Sequence, residues 1–191
     1  MSTPTVNRTL DGVNIPQVGT FALDPHHSTV GFVARHLMVS KVRGSLSDVS
    51  GAITIAENPL ESSVVAVMKA ASITTGSPGR DEHLRSADFL DAETYPDLTF
   101  RSTAVENVSG AEFVLAGELT IRDATRPVEL KVEFDGFTVN PWGKEVVAFT
   151  ATTEIDREEF GITWNQAMES GGVLVGKTVK IEITAEAVRE G

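Results

Sequence analysis

The chain has no cysteine among its 191 residues, one tyrosine, two tryptophans, and only 16 Lys and Arg against 27 Asp and Glu, for a formal charge of −11. Each shortage excludes something. Without cysteine there is no disulfide, thiol nucleophile, iron–sulfur cluster or cysteine-ligated zinc, and the redox compartment leaves no trace. The acidic balance, with a pI of about 4.8, repels phosphate backbones. No run of Lys or Arg offers a local basic stripe, so nucleic acid is not an expected partner. No segment approaches the roughly 18 consecutive apolar residues of a membrane span. The opening stretch, MSTPTVNRTLDGVNIPQVG, has neither the cationic start nor the apolar run of a signal peptide, and the expectation is a soluble, cytoplasmic protein.

Apolar residues make up 41% of the chain, and there are 16 glycines. A chain of this length buries about 70% of its unfolded surface, so one domain with an unstapled core is expected. Gly, Pro, Asn, Thr and Ser dominate the first positions, and residues 1–18 read as a flexible or loosely docked arm. Residues 19–191 read as a single domain.

From Phe21 onward the main signal is alternation with period two, which sends one set of side chains to each face of a strand. Phe113, Leu115, Gly117, Leu119 and Ile121 share a face. Val128, Leu130, Val132 and Phe134 oppose Glu129, Lys131 and Glu133; Val179, Ile181, Ile183, Ala185 and Ala187 oppose Lys180, Glu182, Thr184 and Glu186. Weaker versions lie at 28–36, 64–70, 98–104 and 146–155. Turn signals at Asp24-Pro25, Ser50-Gly51, Asn58-Pro59, Ser109-Gly110 and Asn140-Pro141 separate them. One wet face per strand and short connections indicate an antiparallel sheet. Two stretches resist a strand reading: 78–90 reads as a short helix, and 158–175 contains a candidate short helix ended by Gly171-Gly172.

Eight to ten such strands fit a two-sheet sandwich or a closed barrel, and period does not choose between them. Strand length favours a tall barrel, which can hold one elongated ligand.

Five ordered blocks carry a family resemblance. Leu23-Asp24-Pro25-His26-His27-Ser28 leads into Val30, Phe32, His36 and Lys41-Val42-Arg43-Gly44. Arg80-Asp81-Glu82-His83-Leu84-Arg85-Ser86 precedes Asp88-Phe89-Leu90-Asp91, Tyr95-Pro96 and Phe100-Arg101-Ser102. Gly117 to Arg122, Thr125 to Leu130, and Ile155-Asp156-Arg157-Glu158-Glu159-Phe160-Gly161-Ile162 complete the set. In order and spacing, over about 21–187, the chain resembles the YceI-like family of lipocalin-like proteins. One departure is Asp123, where the family often has Gly after its Leu-Thr-Ile strand.

The resemblance implies a mainly β fold, an extended antiparallel lipocalin-like barrel of about eight strands with one or two short helices near its mouth. It also implies a non-enzymatic role, binding, storing or transporting a polyisoprenoid or similar long-chain amphiphile in the lumen. The bound isoprenoid lipid, an isoprenoid quinone among the candidates, would be the ligand, with no separate cofactor. Homodimerisation through an edge or outer face is a further expectation from the resemblance.

Phe32, Phe100, Phe113, Leu119, Phe134, Phe149 and Ile181 sit on the apolar stripes and are the lumen candidates; the same side chains would also suit a dry, self-packed core. His36, on the stripe of Val30, Phe32 and Ala34, could meet a ligand headgroup, a metal or a buried carbonyl. His26 and His27 are too close in sequence to share a strand face, so no metal site is expected. On a helix, Arg80, His83 and Leu84 share one side and would cap the mouth, with Phe89, Trp164 and Met168 near its edge. The alternative is an enzyme acting on an isoprenoid lipid or quinone headgroup, with His36, His83, Asp81 and Arg80 as acid–base groups. It lacks a G-x-S-x-G elbow, HExxH, phosphate loop or dinucleotide fingerprint. No catalytic residue is therefore assigned.

Overall fold

The computed structural model describes residues 7–191. Its first strands are β1 (Arg8–Leu10), β2 (Val13–Ile15), β3 (Gly19–Leu23), β4 (Thr29–His36), β5 (Ser40–Leu46), β6 (Val49–Ile55), β7 (Ser63–Lys69) and β8 (Ile73–Thr74). After helix α1 (Pro78–Arg85) come β9 (Asp97–Ser109), β10 (Glu112–Ile121), β11 (Ala124–Val139), β12 (Glu145–Asp156) and β13 (Val175–Arg189).

The alternating stretches become β4, β7, β9, β10, β11, β12 and β13. Neighbours pair antiparallel in the order β13, β12, β11, β10, β9, β7, β6, β3, and β3 returns to β13, so eight strands close a barrel. β4, β5 and β8 extend three of these. Along β13, Ala187 faces Leu23 of β3, and Thr184 faces Thr29 of β4, so β3 and β4 are two halves of one interrupted wall strand. β6 with β5, and β7 with β8, break in the same way. At the first break Asp24-Pro25 turns the chain out. Ser28 spans the gap: its hydroxyl donates to Glu186 O at 3.0 Å and accepts from Glu186 N at 3.1 Å.

The meander gives the barrel two distinct ends. One gathers the β4–β5 and β10–β11 turns, α1 and residues 157–175. The other gathers the β6–β7, β9–β10 and β11–β12 turns. At Asp123 the two-residue β10–β11 turn takes its left-handed residue one place earlier, at Arg122 (φ 57°), so no glycine is required there.

The 78–90 stretch is helical only to Arg85. Pro78 suits the first helical turn, with Asp81 near the positive N-terminal end of the dipole and His83 and Arg85 near its C-terminal end. The helix expected within 158–175 does not form. A 3-10 turn at Arg157–Phe160 ends on Gly161 in the left-handed region (φ 77°). Asn165 then holds an open loop: its Oδ1 accepts from Gln166 N and Val175 N, and its Nδ2 donates to Val175 O at 2.7 Å. Between Gly161 and β13 only an isolated bridge, Ala167 to Val173, is regular.

Residues 8–15 form a two-stranded hairpin. Cross-strand partners share a face, so Arg8 and Ile15, and Leu10 and Val13, lie on its half-buried side while Thr9 and Asn14 face solvent. The Arg8 guanidinium donates to Pro16 O, Ala56 O and Glu57 O, and Asp11 Oδ2 accepts from Gly110 N at 2.6 Å. These contacts fasten the hairpin to the barrel end away from α1. Residues 1–6 of the expected arm lie outside the described residues.

Candidate functional site

Inward stripes from every wall meet in one cavity of about 370 Å³, within the roughly 300–1,000 Å³ usual for ligand sites. All seven lumen candidates, Phe32, Phe100, Phe113, Leu119, Phe134, Phe149 and Ile181, line it. The polar side chains on its wall are few: Ser28, Ser62, Ser63, Thr153, Thr184 and Arg157.

Two glycines shape the wall. A Cβ on Gly117 would stand 2.5 Å from the Phe100 ring, and one on Gly44 would collide with the Phe32 ring. Each ring therefore lies across a position where only hydrogen fits, and large and small residues alternate around the taper. Toward the hairpin end the wall is aromatic. Phe149 meets Phe113 edge-on at 6.4 Å and Phe134 at 5.2 Å, between ring centroids.

The hairpin closes that end, presenting Leu10, Val13, Ile15 and Pro16 to the cavity. These were missed in the sequence because one or two apolar residues per three-residue strand are too few to show a period.

The other end is closed by α1 and the 157–175 segment. Of the mouth candidates, Leu84 and Phe89 line the cavity. His83 lies behind them, edge-on to Phe89 at 5.0 Å and to Trp164 at 4.7 Å, with Nε2 2.9 Å from Asp88 Oδ2. Arg80 turns instead to Thr75, donating from Nε to Oγ1 at 2.7 Å and from Nη2 to the carbonyl at 3.2 Å. Buried Asp81 accepts from Thr75 Oγ1 at 2.6 Å and Thr75 N at 2.8 Å. Those bonds, the hydroxyl first, hold its carboxyl below the usual range. Arg80 and Asp81 thus moor the helix to the end of β8. His36 ends β4 at the same rim, opposite Ser40 and Val175. Met168 lies beside Met38 and Gly172 on the loop.

The polar group that sequence reasoning missed is Arg157, 4% exposed. Its guanidinium donates to Gly176 O (2.9 Å), Ile162 O (2.8 Å), Trp164 O (2.9 Å) and Val175 O (3.3 Å). Burial pushes its pKa down, against the favourable charges of Glu158 and Asp156. One side chain thereby ties the 3-10 turn to both legs of the loop that roofs the lumen. In the sequence it sits among Asp156, Glu158 and Glu159, which disguises it as part of a solvated charge run.

A closed eight-stranded antiparallel barrel around an apolar cavity defines a lipocalin-like protein. The YceI-like domain model matches residues 21–187, and the chain belongs to that family. A UPF0312 protein of Staphylococcus aureus is 38% identical over 168 residues, 87% of this chain and 95% of the relative. Among solved structures, the Campylobacter jejuni YCEI protein superposes with a TM-score of 0.71 at 28% identity, covering 82% of this chain and 90% of its own. BcnA of Burkholderia cenocepacia gives 0.76 at 21%, covering 86% and 99%. A polyisoprenoid binding domain of Saccharophagus degradans, implicated in plant cell wall breakdown, gives 0.70 at 13%, covering 91% and 100%. The last two likenesses concern the fold. The hairpin lies outside the family match.

Proposed function

We propose that this protein binds a long-chain isoprenoid-type lipid in the barrel lumen and stores or carries it without chemical change. The observation that carries the reading is the continuous apolar wall, to which each of the eight strands contributes, around a cavity of about 370 Å³. The binding domain from Saccharophagus degradans, with the same fold, supports it. A prenyl chain offers area and almost no polar atoms. Burial contributes about 25 cal/mol per Å², or roughly 0.8 kcal/mol per methylene. Lost translation and a frozen chain cost several kcal/mol, so micromolar to nanomolar affinity is expected.

On this reading Phe32, Phe100, Phe113, Leu119, Phe134, Phe149 and Ile181 grip the chain, while Leu84 and Phe89, backed by His83 and Trp164, meet its headgroup end. Three of the four side chains considered as acid–base groups are engaged elsewhere, Arg80 and Asp81 with Thr75 and His83 with Asp88, which favours binding over catalysis. The test is organic extraction and mass spectrometry of protein purified from its own cells, paired with titration of lipid-free protein by geranylgeraniol. A co-purifying isoprenoid and saturable binding are expected. Preparations that are reproducibly lipid-free and bind no prenol overturn the reading.

A further inference from the structure

The β4–β5 turn projects from the α1 end of the barrel and exposes three consecutive apolar side chains: Leu37 at 41%, Met38 at 60% and Val39 at 81%. Leu37 N donates to Leu174 O at 2.9 Å, which brings Val173, 38% exposed, beside them on the loop that roofs the lumen. Isolated exposed apolar residues are ordinary, but a contiguous patch at a rim marks an interaction surface.

Charge distinguishes this patch from the rest of the molecule. The chain carries −11, yet no acid occurs between Asp24 and Asp48, while Arg35, Lys41 and Arg43 all do. Register puts them on one outer face, Arg35 opposite Lys41 and Val33 opposite both Arg43 and Lys180. Glu182 partly offsets the lower pair, at 3.7 Å from Arg43 and 3.4 Å from Lys180. Arg35 and Lys41, nearest the tip, are exposed and have no carboxylate partner among the described residues. A second apolar tip, with Val139 at 64% and Trp142 at 84%, stands at the opposite end. Its neighbours Asp135, Lys144 and Glu145 are mixed in sign, and the hairpin lies between that end and the lumen.

We propose that the β4–β5 tip docks on a bilayer surface bearing anionic lipids, so that the roofed mouth opens toward the membrane. Leu37, Met38 and Val39 enter the headgroup region while Arg35 and Lys41 meet the anionic lipid. Glu169, exposed on the same loop as Val173, is a single carboxylate against Arg35 and Lys41, and acids farther off are screened over about 8 Å at physiological salt. The inference rests on the lumen reading for its purpose, since a carrier must collect its lipid somewhere.

The experiment is flotation of the full chain with vesicles of phosphatidylcholine alone or of equal parts phosphatidylcholine and phosphatidylglycerol, alongside geranylgeraniol titration in solution. Wild type is expected to float with the anionic vesicles only, less so as salt rises. Met38→Asp with Val39→Asp, and separately Arg35→Glu with Lys41→Glu, should lower vesicle binding about tenfold or more. Both should leave the melting temperature and prenol affinity unchanged, and Trp142→Asp should bind vesicles as wild type does. The proposal falls if wild type ignores anionic vesicles, or if Trp142→Asp is the variant that detaches. It also falls if the tip variants lose only a dimer, which would assign the face to a second copy. Vesicle binding without any prenol binding would retain the docking surface and remove the lumen reading.

Discussion

Arg157 spends its four hydrogen bonds on main-chain carbonyls. Replacing it by methionine keeps much of the volume and strands those acceptors beneath the loop. Stability should fall by about 3 kcal/mol or more, because a buried group left unpaired costs the whole of its desolvation. Urea unfolding measures this, and a loss below about 1 kcal/mol would show the roof standing without it. A second residue-scale test concerns His27, whose Nδ1 lies 2.7 Å from Asp24 Oδ2 at the β3–β4 break. Their hydrogen bond, then the charge of Asp24 and Glu186, raises the imidazole pKa above 6.5; the same bond and His26 N lower the Asp24 carboxyl below 3.8. The His27 contribution is therefore complete below 6.5 and lost as pH rises through the raised value. That of Asp24 is present above 3.8 and lost as pH falls through the lowered one, leaving a mildly acidic window for both. In Asp24→Asn the His27 midpoint should move down toward 6.5 by NMR titration; an unchanged midpoint would rule out the pairing.

At the scale of elements, the wall depends on glycines that cede space to rings. Gly117→Ala would drive a methyl against Phe100 and also against Arg101 O, 2.7 Å from its Cβ position. The main chain there cannot swing aside, so the expected cost is about 1–3 kcal/mol in thermal or urea unfolding. A neutral result would mean the Phe100 ring turns into the lumen, and prenol affinity would then drop instead. The long strands were legible because each buries one face along its whole length; β10, for example, alternates without interruption from Leu115 to Ile121. The breaks at β3–β4 and β5–β6 were less so, since Asp24-Pro25 signals a turn but not that the same wall resumes beyond it. The hairpin was illegible for want of length, and a two-stranded ribbon is stable only when docked. The inward placement of the seven lumen candidates could be read because a stripe on a closed barrel has one place to point. The partners of Arg80 and His83 could not, because helix spacing puts both on one side without revealing that Thr75 and Asp88 engage them; Leu84 and Phe89, also named for the mouth, line the cavity.

For the whole molecule, an apolar ligand in the lumen acts as a core that arrives from outside. At a free concentration a hundred times its dissociation constant, a ligand that binds only the folded state adds about 2.7 kcal/mol. For a chain of this size that is roughly 5–10 °C in melting temperature. Geranylgeraniol should produce such a rise in lipid-free protein, and short alcohols such as geraniol, which fill less of the wall, a smaller one. Equal shifts would mean the cavity is not sensing chain length.

The closing strand carries a consequence of a different kind. β13 bonds to β12 beside it, but also to β3 and β4, which lie at the far end of the chain. A ring closed by such distant partners pays its loop entropy before the last contacts repay it, and folds slowly for that reason. On a ribosome the apolar stripes of the earlier strands would wait, unsealed, until β13 emerged. The interior that would hold a lipid is thus sealed only by the last strand of the barrel, and until that strand docks its apolar stripes stay open to the wrong partners.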